Sequence, residues 1–213
     1  MNTAKSELVI KLFNALDTQG INFITMRGFD LIPYKVSQKQ DVDLLIHPDS
    51  VKFATQIFEK KGFIASSIDP IDTVYLYGAH PGIFFVHKPL DIAIHVVEEL
   101  AYKSLNKCEM VPLDKNLQES IFENKRRVDE IWKYMPSYED EFLMLLCRCI
   151  YDKRTVPQKY MDRIKELFRI ADMEKVKEYC NSVFMKSTEL LLSTVAKGET
   201  EYIFERYITF CDY

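Results

Sequence analysis

The sequence predicts an α+β protein in which a small sheet flanked by helices is followed by a C-terminal helical bundle. Three observations carry that expectation. Short apolar segments, some with two-residue alternation, recur between Ile21 and Val96. From about Asp114 onward that strand signal fades and apolar residues return at helical spacing. Within the first of these regions, Asp41-Val42-Asp43-Leu44-Leu45-Ile46 sets two carboxylates on one short apolar strand, and Asp91 falls on another, Leu90 to His95. The division expected from this layout is an α/β core over residues 1–113 and a mainly helical region over 114–213.

Each element has a local reason. Leu8, Val9, Leu12, Phe13 and Leu16 recur at helical spacing, and Gly20 supplies a stop. Ile21 to Met26 reads as a strand that ends at Arg27-Gly28, and Phe29 to Gln40, with Pro33 and many polar residues, reads as a loop. Val42 to Ile46 is a strand broken by His47-Pro48, after which Asp49 or Ser50 is placed to cap a helix. That helix carries Val51, Ala54, Ile57 and Phe58 on one side and stops at Gly62. Phe63 to Ile68, Thr73 to Tyr77 and Ile83 to His87 read as strands, and the Lys88-Pro89 corner leads into Leu90 to Val96.

In the second half, Ser137-x-x-Asp140 ahead of Phe142 to Leu146 reads as a capped helix, apolar on nearly every side and therefore buried. Pro157 suits the first position of a further helix bearing Tyr160, Ile164, Leu167 and Phe168, with two or three more to follow.

Composition narrows the function classes. The 213 residues are 47% hydrophobic and 28% charged, an ordinary globular balance. A net charge of −4 gives no global basic field to attract nucleic acid, and Lys125-Arg126-Arg127, the one basic cluster, reads as a solvated face. No apolar run is long enough to cross a bilayer, and the start, Met1 to Leu16, reads as a charged amphipathic stretch and not as a signal peptide. The five cysteines are odd in number and lack metal-type spacing, which points to reduced thiols in a cytoplasmic protein.

The chemistry lies in the acidic strands. Asp41 and Asp43 point to one side of their strand, and aligned charges in an apolar setting are costly without a cation between them. With Asp91 converging on them, they are candidate ligands for Mg²⁺ or Mn²⁺ in phosphoryl chemistry. The competing reading is a pair of solvent-facing carboxylates at the edge of a small sheet. His95 shares a strand face with Asp91 and is a candidate to contact substrate or orient an acceptor. Arg27 is a candidate phosphate clamp, Lys39 reaches the same region, and Lys153 is a candidate phosphate contact from the helical half. For each cation the alternative is a surface charge that pairs nearby acids. Tyr34, Tyr75 and Tyr77 have faces suited to stacking, although most aromatics here fit a core.

The order of helix, strand, Gly turn, loop, Asp-x-Asp strand, helix and a later single-Asp strand resembles the nucleotidyltransferase superfamily of polymerase beta type. Arg27-Gly28, Asp41 to Ile46, Gly62-Phe63 and Asp91 to His95 are similar in order to an uncharacterised bacterial group within it, over roughly Ile21 to Leu167. The resemblance implies a small mixed sheet flanked by helices. It also implies metal-dependent transfer of a nucleoside monophosphate from an NTP to an acceptor, with Asp41, Asp43 and Asp91 as the metal-binding catalytic triad and Gly28 at the phosphates. Phe29 stands where members carry Ser or Gly, so a non-catalytic nucleotide- or ligand-binding module of the same fold is an open alternative. A toxin-like transferase acting on tRNA is another.

Overall fold

The protein is described by a computed structural model covering residues 3–26, 41–66, 82–104, 110–128 and 133–204. The elements run α1 (Thr3–Thr18), β1 (Phe23–Thr25), β2 (Val42–Ile46), α2 (Pro48–Lys60), β3 (Ile64–Ser66), β4 (Ile83–His87) and β5 (Ile92–Val97). There follow β6 (Ala101–Lys103), β7 (Met110–Pro112), α3 (Lys115–Glu123), β8 (Arg126–Arg127), β9 (Tyr134–Met135), α4 (Tyr138–Cys147), α5 (Gln158–Ile170), α6 (Met173–Phe184) and α7 (Thr188–Lys197). The chain divides into two compact units: one takes the described residues up to 66 with 82–100 and 122–136, the other 101–121 and those from 137 onward.

The first unit is built on a mixed five-stranded sheet in the order β1-β2-β5-β4-β3. The β2–β5 pair is parallel and the other three pairs are antiparallel. Alternation along each strand separates the two faces. Phe23, Val42, Leu44, Ile46, Phe85, Ile92, Ile94 and Val96 turn to one face and pack with Val9, Leu12, Phe13 and Leu16 of α1 and with Ala54 and Phe58 of α2. Within this core Phe58 stacks on Phe85 at 4.5 Å and meets Phe63 edge-on at 6.1 Å. Such pairs contribute roughly 0.5–1.5 kcal/mol beyond their buried area.

Of the local features, the stop at Gly62 follows the sequence reading, and the cap of α2 and the start of β5 depart from it. His47, rather than Asp49 or Ser50, caps α2: its Nδ1 accepts from the Asp49 amide at 3.3 Å, with Pro48 in the first turn. Gly62 ends α2 with φ +86°, where a Cβ would press on the His87 ring at 3.2 Å. The alternation read from Leu90 begins only at Ile92. Pro89 draws Lys88 to Leu90 into a single 3-10 turn, and Asp91 leaves it in a left-handed conformation, φ 47° and ψ 58°.

Strands β6 to β9 lie beyond the sequence reading because two or three residues are too few to display a period. The hairpin β8–β9 nonetheless belongs to the sheet unit. Tyr134 meets Phe23 edge-on at 5.6 Å and donates its hydroxyl proton to Asp17 at 2.8 Å.

In the second unit the helix start expected at Ser137 is present. Ser137 Oγ accepts from the Asp140 amide at 3.0 Å and donates to Asp140 Oδ2 at 2.6 Å. Helix α4 is buried from Asp140 to Cys147, and a π-helical segment, Arg148–Lys153, extends it. Pro157 sits one position before α5, as its N-cap. Arg163 of α5 grips the buried carboxylate of Glu141 with two bonds of 2.7 Å.

Candidate functional site

The face of the sheet opposite α1 and α2 carries a row of side chains in register. Met26, which donates its amide to the Asp43 carbonyl at 3.0 Å, stands beside Asp43. Asp43 stands opposite His95 across the parallel β2–β5 pair, His95 opposite Phe84, and Phe84 opposite Ser66. Cross-strand partners project to the same side, so these groups meet without any special loop.

The centre of the row is an Asp–His pair. His95 Nδ1 lies 3.1 Å from Asp43 Oδ1, and the two side chains are only 17% and 18% exposed. An ionised carboxylate only accepts, and opposite one the proton of this bond is assigned to Nδ1. The imidazole lies flat on Phe84, with ring centres 4.4 Å apart and planes 13° from parallel. Its other edge abuts Gly82, where φ is +92° and a Cβ would fall 2.7 Å from His95 Nε2 and 2.4 Å from the Val96 carbonyl oxygen. A carboxylate, an aromatic face and a bare backbone thus define the ring's position. Phe84 and Gly82 escape a sequence reading because their relation to His95 is created by strand register.

Asp41 is exposed and immediately precedes β2, two residues from Asp43 and on the same side by alternation. Extending the register of Val42 with Ile94 by one residue sets Ala93 beside Asp41. Asp91 lies two residues before that point, outside the strand, and the Nζ of the buried Lys5 on α1 holds its carbonyl at 2.9 Å. The span from Ile92 to His95 alone is about 10 Å at strand rise, so Asp91 is closer in register to Asp41 than to Asp43. The structure therefore joins Asp43 to His95, and among the described residues no group of three or more His, Cys, Asp or Glu side chains is arranged to hold a metal ion.

That donor set bears on the cation the sequence suggested. Magnesium seldom occupies an all-protein cage and instead combines one or two carboxylates with substrate phosphates and water. Asp41 and Asp43, adjacent on one face, fit that requirement. The bond from His95 engages Oδ1 of Asp43, in the way an outer hydrogen bond orients a ligating carboxylate.

Arg27, Gly28, Phe29 and Lys39 lie outside the described residues, as do Tyr34, Tyr75 and Tyr77. Lys153 is exposed at the end of the π-helical segment in the second unit. The cluster Lys125-Arg126-Arg127 is not simply a solvated face. Lys125 bonds Asn22 and lies 4.3 Å over the Tyr134 ring, while Arg126 Nε donates to the Pro136 carbonyl at 2.8 Å. Burial lowers the Lys125 pKa, and the nearby Asp17 carboxylate works against that shift. Two of the three cations therefore tie the β8–β9 hairpin to its own unit. No helix among the described residues is long and apolar enough to cross a membrane.

No family model matches the chain, and no curated protein matches it either. Solved structures do. The solution structure of the antibiotic-resistance factor ANT(2'')-Ia superposes with a TM-score of 0.51 at 15% identity, over 95% of this chain and 98% of that one. The crystal structure of ANT(2'')-Ia in complex with adenylyl-2''-tobramycin matches with a TM-score of 0.51 at 13% identity, over 87% of this chain and 99% of that one. The chain thus has a nucleotidyltransferase-type fold: a mixed sheet with helices and a helical C-terminal region, as the acidic-strand pattern implied.

Proposed function

We propose that this protein is a metal-dependent nucleotidyltransferase that moves a nucleoside monophosphate from an NTP to an acceptor. The observation that carries this reading is the pair Asp41 and Asp43 at the start of β2, on the face opposite the helical core of a nucleotidyltransferase-type fold, with Asp43 anchored by His95. Two aligned carboxylates on that face suit phosphoryl transfer, which depends on positioning and on neutralising phosphate oxygens. An adenylyl adduct, adenylyl-2''-tobramycin, is what ANT(2'')-Ia holds in its crystal structure.

In this reading Asp41 and Asp43 hold Mg²⁺ or Mn²⁺, which supplies charge neutralisation at the phosphates when bound. Arg27, Gly28, Phe29 and Lys39, in the segment between β1 and β2, are assigned to the phosphate side of the site. The acceptor oxygen forms a bond to the α-phosphorus as the bond to pyrophosphate breaks. Asp91, at the head of β5, takes the acceptor proton.

The test is a thermal-shift screen of ATP, CTP, GTP and UTP with Mg²⁺, followed by mass spectrometry of small molecules and RNA incubated with the protein. The reading expects one NTP to stabilise the protein only when Mg²⁺ is present, an effect lost in Asp41→Ala, and a nucleotidyl mass added to an acceptor. Absence of any Mg²⁺-dependent NTP stabilisation, with Asp41→Ala indistinguishable from wild type, contradicts it.

A further inference from the structure

We propose that Phe84 and Gly82 are positioning residues that act through His95 on the Asp43 carboxylate, so that β4 sets the geometry of the nucleotide-bound cation on β2. The inference deepens the nucleotidyl-transfer reading and rests on it for the identity of the ligand. It concerns two residues outside the acidic pattern.

The chain of contacts is continuous. Phe84, His95 and Asp43 occupy one register line across three adjacent strands. Phe84 offers a flat face 4.4 Å from the imidazole, and Gly82 closes its edge where any side chain would collide with Nε2. Confined this way, the ring presents Nδ1 to Asp43 Oδ1 at 3.1 Å. An imidazole free in water favours the other tautomer, with the proton on Nε2, so a fixed Nδ1–H is a signature of this confinement. The bond occupies one carboxylate oxygen and fixes the plane of the other, and partners of this kind alter metal affinity on the order of 10- to 100-fold when removed.

The test uses the full chain with ¹⁵N-labelled histidine. Long-range proton–nitrogen correlation reads the His95 tautomer in wild type, Phe84→Tyr, Phe84→Leu and Asp43→Leu, and Mn²⁺ titration in the presence of each of the four NTPs reads broadening of resonances beside Asp43. Wild type and Phe84→Tyr are expected to show the Nδ1–H form, while Phe84→Leu and Asp43→Leu, which lacks an acceptor, shift toward Nε2–H. Phe84→Leu is expected to need roughly 10-fold more Mn²⁺ for equal broadening. If Phe84→Leu is poorly folded, Phe84→Met removes the aromatic face with less loss of volume.

A folded Phe84→Leu or Phe84→Met variant whose tautomer equals that of wild type overturns the proposal, and so does unchanged Mn²⁺ affinity in a variant whose tautomer has shifted. If Mn²⁺ with every NTP fails to bind wild type, the nucleotidyl-transfer reading fails, and the cation role of Phe84 falls with it. The tautomer result then separates the two failures, because it reports the Phe84–His95–Asp43 geometry without any ligand.

Discussion

Asp43 and His95 are register partners on adjacent parallel strands, and their side chains meet at 3.1 Å although 52 positions separate them in the chain. A parallel pair needs a crossover connection, so this contact forms only when the sheet assembles correctly. The acidic strand and its histidine partner are therefore products of the fold as much as of a local motif.

Gly82→Ala should disturb that pair. A methyl group there meets the Val96 carbonyl oxygen at 2.4 Å and His95 Nε2 at 2.7 Å, on a backbone at φ +92° that side chains rarely adopt. A loss of about 2 kcal/mol is expected by urea denaturation, together with altered His95 resonances. Wild-type stability in Gly82→Ala contradicts the packing described for this edge.

Arg163→Met should destabilise the helical unit by about 3 kcal/mol, because it removes the two-bond partner of the Glu141 carboxylate, whose side chain is 4% exposed. Adding Glu141→Gln should recover a large part of that loss. A double variant no more stable than Arg163→Met would show that the pair is not what holds α5 against α4.

Asp140 gives a pH signature. Burial raises its pKa, with the Ser137 hydrogen bond and Lys175 working in the opposite direction. A carboxyl whose folded pKa exceeds the unfolded value contributes stability that is complete below the unfolded pKa and lost as pH rises through the folded one. As pH rises from about 4, wild type should therefore lose stability relative to Asp140→Asn. A pH-independent difference between the two contradicts the assignment.

Cys147, Cys149 and Cys180 should resist thiol reagents in the native protein. All three are buried, and burial pushes Cys149 and Cys180 up to about 12 and Cys147 well above its usual value. Dithionitrobenzoate should modify these three only after denaturant is added, read by mass mapping of the labelled peptides.

The sequence made some features legible and hid others for physical reasons. Val42 to Ile46 could be read because a buried strand must be apolar, and its two aspartates stand out against that background. Ser137 with Asp140 could be read because a helix cap is a contact between near neighbours. The Asp43–His95–Phe84 line could not, since register across β2, β5 and β4 depends on connections far apart in sequence. Asp91 fits the alternation of β5 in sequence, but Pro89 turns the chain ahead of it and leaves it outside the strand. Lys125 and Arg126 resemble a solvated run, and their internal partners, Asn22 ahead of β1 and Tyr134 and Pro136 on the returning β9 side, come from segments that only the fold brings near.

The most direct test of the central claim is calorimetric titration of each of the four NTPs into wild type and Asp43→Asn, with and without Mg²⁺. The account predicts saturable binding of at least one NTP to wild type that requires Mg²⁺ and weakens at least about 10-fold in Asp43→Asn. Binding that ignores both Mg²⁺ and the substitution, or no binding of any NTP, would contradict it.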